Sequence, residues 1–313
     1  MFERFFSAII NQIDAFEKTF GTNVCIAYFV IQIIFVAIVN FLIKFLTNVP
    51  AFEIIYLRSV LVYIFNFALM TEYGIDPYPE DQRKMRFLAM RGIFNFLSTG
   101  FYVLSIKILT VTEATSLYYT CTIWIGFLGW FLLKDRLSRY EILASLFGLA
   151  GIMFVIRPDI IFGLGKEETS EEYMMNFWGI LAGVAASISF TVLFILIRRT
   201  KTQLNILIYN QIYNLMNLVI APIGIFYQGW CWISWEEGGL IILMGFLHYG
   251  SKLCFNRGIQ LEKTGKASFI GYFQIGISFG IDVILGIDVY LTSIIGGALV
   301  LISAIFMFIK PHN

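Results

Sequence analysis

Charged side chains are scarce in this 313-residue sequence: Asp, Glu, Lys and Arg make up 14% of it, where soluble domains carry roughly 25%. A water-soluble globule is excluded, because too few polar groups remain to cover its surface and the mean hydropathy is +0.78. Net charge is almost absent too, at +1, and no basic stripe alternates with aromatics, which excludes a nucleic-acid groove. Only four cysteines occur, Cys25, Cys121, Cys231 and Cys254. They are widely separated and lack the spacings that hold zinc or a redox pair. They read as core thiols, and neither a metal nor another cofactor is expected. Catalytic signatures are missing as well: there is no GxSxG elbow, no phosphate-cradling loop, no HExxH and no carboxylate pair in one apolar run. No catalytic residue and no enzyme activity is expected.

What the sequence has instead is apolar length. Hydrophobic residues make up 58% and aromatics 17%, and a bilayer core of about 30 Å needs about 20 apolar residues per helix. Ten stretches meet that need: Val24–Leu46, Ala51–Met70, Phe87–Ile106, Ala114–Leu133, Tyr140–Ile156, Phe177–Ile197, Leu204–Phe226, Leu240–Gly258, Ala267–Leu285 and Val289–Ile309. The expected class is an all-α multi-pass membrane protein with the lipid bilayer as its surroundings.

Lys and Arg in alternate loops test that count. One side collects residues from Arg4 and Lys18 through Arg83, Lys84 and Arg86 to Lys263, Lys266 and Lys310; the other keeps only Lys107, Arg157 and Lys166. An even number of crossings follows, with both termini on the positive side, which is the cytoplasm in most membranes and the matrix in the inner mitochondrial membrane. Before the first span, Phe2, Phe5, Phe6, Ile9, Ile10, Ile13, Phe16 and Phe20 recur at three- and four-residue steps. Residues 1–23 therefore read as an amphipathic interfacial helix, either a surface anchor or a docking helix for a partner subunit. They show neither a signal peptide's apolar block nor a transit peptide's composition.

Sliding the chain by 153 residues aligns Ser105–Pro158 with Gly258–Pro311 without a gap, at about ten identities in 54 positions. Ile106 falls on Ile259, Ala114 on Ala267, Tyr119 on Tyr272, Asp135 on Asp288, and Arg157-Pro158 on Lys310-Pro311. Two five-helix repeats are expected, over 24–158 and 177–311, joined by an acidic linker over 159–176. An odd number of crossings per copy inverts the second copy. Inverted repeats are the architecture of alternating-access carriers, with the substrate near the midplane between the halves.

Thr112-Glu113-Ala114-Thr115, Leu133-Lys134-Asp135-Arg136-Leu137-Ser138, Gly148-Leu-Ala-Gly151 and Arg157-Pro158 resemble the drug/metabolite transporter superfamily, its EamA-like branch in particular. Met90-Arg91-Gly92-Ile-Phe, Phe101-Tyr102 and Ile259-Gln260-Leu261-Glu262 are similar to solute carrier family 35, group G. The resemblance covers residues 24 to 310 and implies ten helices, cytoplasmic termini and transport of small organic metabolites. It also implies a midmembrane proline in the fourth and ninth helices, where this chain has Tyr119-Thr120-Cys121-Thr122-Ile123 and Tyr272-Phe273-Gln274-Ile275-Gly276.

Ionisable groups within apolar spans are costly and mark candidate sites. Lys44 and Arg257 lie close to span ends, where snorkelling accounts for them. Arg58 and Arg91 lie deeper and read as ion-paired or as substrate contacts. Asp282 reads as a structural partner for a cation such as Lys252, or as a proton carrier, so Arg58 and Asp282 are the candidates for intramembrane charge pairing. His248 and Lys252, four residues apart, share one helix face. The repeat places His248 opposite Asn95, and Tyr119 opposite Tyr272. The candidate substrate site is thus Arg91, Asn95, Tyr119, His248, Lys252 and Tyr272, and the excess of cations points to an anionic or zwitterionic small molecule. Gly179-x-x-x-Gly183 and Gly276-x-x-x-Gly280 read as packing faces. A second reading stays open, a transporter-like fold serving as a structural subunit of a membrane complex, as does a homodimer.

Overall fold

The structure is a computed structural model that describes residues 24–78, 81–128, 131, 139–156, 170–200, 205–261, 271, 273–287, 292, 295–299 and 302–303. The amphipathic stretch 1–23, the linker residues 159–169 and Tyr272 lie outside the described residues. Among the described residues the regular structure is helical and no strand occurs. The helices are α1 (Val24–Phe45), α2 (Ala51–Glu72), α3 (Gln82–Ile108), α4 (Val111–Tyr119), α5 (Cys121–Leu128), α6 (Arg139–Ile156), α7 (Ser170–Thr200), α8 (Ile206–Gln228), α9 (Trp235–Leu261) and α10 (Phe273–Ile284). Six of them, α1, α2, α3, α7, α8 and α9, contain stretches long and apolar enough to cross a bilayer.

Local chemistry sets the helix starts. Asp81 accepts the Arg83 amide at 2.9 Å ahead of α3, and Asn205 accepts the Leu207 amide at 3.0 Å ahead of α8. Thr110 and Glu113 form a capping box at α4, as Ser234 and Glu237 do at α9. Glu113, part of the Thr112-Glu113-Ala114-Thr115 motif, has this capping job. Gly229 ends α8 at φ +85, a region closed to most side chains. Helix α7 begins at Ser170 rather than at the expected Phe177, so the end of the acidic segment is helical. The fourth stretch, expected to be continuous, is interrupted at Thr120 between α4 and α5.

Side-by-side packing forms a closed circuit: α1 on α9, α9 on α2, α2 on α8, α8 on α3, α3 on α7, α7 on α4, α4 on α10 and α10 on α1. Glycines allow the closest approach. A Cβ at Gly183 would come within 2.8 Å of Leu117, and one at Gly179 within 2.8 Å of Ile108, so the Gly179-x-x-x-Gly183 face does seat α7 against α3 and α4. Gly280 is different: a Cβ there would meet none of the described residues within 4 Å. Outward positions such as Ile64, Val219, Ile223 and Phe246 are large, apolar and exposed, which in a lipid-facing wall is the low-energy arrangement.

Candidate functional site

Inside the circuit lies a cavity of about 120 Å³, room for several waters or a small organic molecule. Its lining draws Asn40 from α1, Arg58 from α2, Thr99 and Tyr102 from α3, Tyr118 and Tyr119 from α4, and His248, Ser251 and Lys252 from α9. The three α9 residues recur at three- and four-residue steps, so one helix face delivers them together.

Arg58 is 1% exposed. Its Nε and Nη2 have no hydrogen-bond partner among the described residues, and the Tyr213 hydroxyl lies beside it. Lys252 Nζ donates to Asn95 Oδ1 at 3.0 Å and lies 5.0 Å from the Tyr213 ring centroid. The Tyr213 hydroxyl lies 3.2 Å from His248 Nε2 and donates to Thr99 Oγ1 at 3.3 Å. Among the described lining residues there are two cations and a histidine but no carboxylate. An uncompensated buried charge costs several kcal/mol, and no described residue of the cavity wall supplies the opposite charge.

The expected site residues separate into three groups. Tyr119, His248 and Lys252 line the cavity, and Asn95 supports it through Lys252. Tyr272 lies outside the described residues, although its neighbour Gly271 lines the cavity. Arg91 does not line it. Its Nη2 donates to Asn256 Oδ1 at 2.7 Å and its guanidinium lies 3.8 Å from the Tyr209 ring centroid, a structural placement.

The charge-pairing candidates lie in different parts of the bundle. Arg58 faces the cavity instead of a carboxylate. The two Asp282 oxygens accept the Val111 and Thr112 amides at 3.0 and 2.8 Å, the anion site that a helix N-terminus offers. Asp282 therefore ties α10 to the start of α4, and no bond to Lys252 is formed.

Tyr213 was not among the sequence candidates, yet it touches every basic group of the cluster. Its signal is legible in retrospect: Asn210, Tyr213, Asn214 and Asn217 form a polar stripe at helical spacing on α8, and all four are buried. The Thr120 interruption is also made by side chains. Thr120 Oγ1 donates to Leu117 O at 2.7 Å and lies 2.6 Å from Ser187 Oγ, and Thr122 Oγ1 donates to Tyr119 O at 3.0 Å. Hydroxyls that take helix carbonyls in this way bend a helix without proline.

Residues 23–157 match the EamA-like transporter family model. The chain is 24% identical over 226 residues to solute carrier family 35 member G1 of Mus musculus, covering 71% of this chain and 60% of that protein. It is 19% identical over 231 residues to the Homo sapiens protein of the same name, covering 72% and 62%. The chain therefore spans about three fifths of the length of these curated relatives. A solved crystal structure superposes with a TM-score of 0.63 at 18% identity, over 90% of this chain and 98% of the other, which shows a common fold. The motif resemblance to the drug/metabolite transporter superfamily is borne out, and the chain is an integral multi-pass membrane protein.

Proposed function

We propose that the protein is a secondary carrier that moves a small organic metabolite bearing negative charge by alternating access. The observation that carries this reading is the cavity in which Arg58 and Lys252 face the same space with no described carboxylate to neutralise them. Substrate would be held by Arg58, His248, Lys252 and Tyr119, with Asn95 and Tyr213 positioning the cations. Tyr272 would complete the site from the position opposite Tyr119, and Arg91 would brace α3 against α8 and α9.

Two inverted five-helix repeats and ten crossings are the architecture we assign to it, with both termini on the positive side. The packing supports this. Exchanging α1 with α7, α2 with α8, α3 with α9 and α4 with α10 turns α3·α7 into α9·α1, α3·α8 into α9·α2, and α4·α7 into α10·α1, while α2·α8 and α4·α10 map onto themselves. A helix set related by a pseudo-two-fold axis has this property. A cavity lined by buried cations also favours a carrier over a purely structural subunit, which has no use for them. The test is uptake of labelled organic anions by the full chain in proteoliposomes. Uptake that exceeds protein-free vesicles and saturates is expected; no uptake of any anion or neutral metabolite would refute the reading.

A further inference from the structure

The cavity changes character along its length, and we infer from that gradient that its ligand is an amphiphilic organic monoanion, a single carboxylate on a flat apolar body. This rests on the carrier reading above and narrows it. On α9 the lining face runs from His248, Ser251 and Lys252 to Phe255 and Ile259. At about 1.5 Å per residue, Phe255 and Ile259 lie roughly 5 and 10 Å beyond Lys252. Phe255 meets Phe29 and Phe190 with ring centroids 6.3 and 6.0 Å apart. Phe190 meets Tyr118 at 5.3 Å, and Tyr118 meets Tyr119 at 5.5 Å. These rings form one continuous aromatic lining next to the cation cluster.

Each alternative ligand fails at one part of this surface. A compact polyanion would press charged oxygens against Phe29, Phe190 and Phe255, rings that offer no donors, a desolvation cost without compensation. An α-amino acid carries its ammonium beside its carboxylate, so it would bring a cation up to Arg58 and Lys252. A neutral ring compound would fill the aromatic end and leave the Arg58 donors unpaired. One carboxylate offers two oxygens, enough for the free Arg58 donors and Lys252, while a planar body stacks among the rings.

The test uses the full chain purified in detergent and follows its thermal unfolding midpoint, which a bound ligand raises with ln(1 + [L]/Kd). The probes are 2-naphthoate, succinate and phenylalanine. 2-Naphthoate is expected to raise the midpoint while the other two do not, and Lys252→Gln and Phe255→Ala are each expected to weaken naphthoate at least about tenfold. The ligand-free midpoint of each variant reports whether it folds. A shift with succinate and none with naphthoate overturns the amphiphile inference and leaves the anion carrier standing. An equal response to phenylalanine overturns the monoanion preference. A naphthoate shift unchanged in both variants places the ligand elsewhere and overturns the site. No response to any probe counts against both readings.

Discussion

Lys44 and Lys107 sit in the last turns of α1 and α3, and each donates to the carbonyls that end the other's helix. Lys44 Nζ reaches Ile106 O at 3.2 Å and Leu109 O at 2.8 Å, and Lys107 Nζ reaches Leu46 O. Arg58 and Lys252 face the cavity instead, with two Arg58 donors unmatched and a single neutral acceptor for Lys252 among the described residues. The first pair satisfies carbonyls that a helix end would otherwise orphan, and a cation suits that end of the helix dipole. The second pair keeps only Asn95 and the Tyr213 ring for Lys252 and the Tyr213 hydroxyl for Arg58 among the described residues. Basic residues inside one bundle thus divide by what surrounds them: saturated ones hold helices, and the unsaturated ones are those we propose for the ligand.

That division makes opposite demands on substitution. Lys252→Met is expected to lower anion uptake at least about tenfold, the loss of one charge-assisted hydrogen bond of about 1.5–3 kcal/mol, while the unfolding midpoint in detergent holds or rises. Uptake within twofold of the parent would remove Lys252 from the site. Gly183→Ala should act on folding, because its Cβ would crowd Leu117 at 2.8 Å. Overpacking of this kind costs about 1–3 kcal/mol, read as a lower midpoint, and an unchanged midpoint would mean that α7 shifts freely. Lys44→Met orphans two carbonyls and should cost about 1–2 kcal/mol of stability with little change in substrate affinity. A rise in the apparent KM for the anion would place Lys44 in the substrate path instead. Thr110→Ala removes half of the α4 capping box, for about 1 kcal/mol, and a midpoint equal to the parent's would show that Asp282 alone holds that helix start.

Much of the helical frame was legible because lipid imposes a length and a composition that soluble cores do not. The expected Val24–Leu46 and Ala51–Met70 appear as Val24–Phe45 and Ala51–Glu72. The ends extend where polar residues still propagate a helix, as at Ser170 and Gln82, since apolar length marks the bilayer and not the helix end. The break at Thr120 was hidden for a related reason. Proline is the expected sign of a break, whereas here two threonine hydroxyls bond helix carbonyls at an interruption that holds no proline.

The candidate site was legible wherever charge stood out against an apolar background. His248 and Lys252 came from spacing, and Asn95 from the repeat. Sequence could not say which cations are saturated, because the partners of Lys44 are backbone carbonyls from α3 and the residue beyond it, 62 and 65 positions away. Arg91 and Arg58 look alike in the sequence, yet only a folded α9 brings Asn256 to Arg91. Tyr213 escaped notice because a tyrosine in an aromatic-rich span carries no contrast of its own.

The most direct measurement is a cryo-electron microscopy structure of the full chain determined with the transported anion present. The carrier reading requires the negatively charged group within about 3 Å of both the Arg58 guanidinium and the Lys252 ammonium. An anion seated outside the α1–α9 cavity, with Arg58 and Lys252 neutralised by carboxylates of the protein, would contradict it.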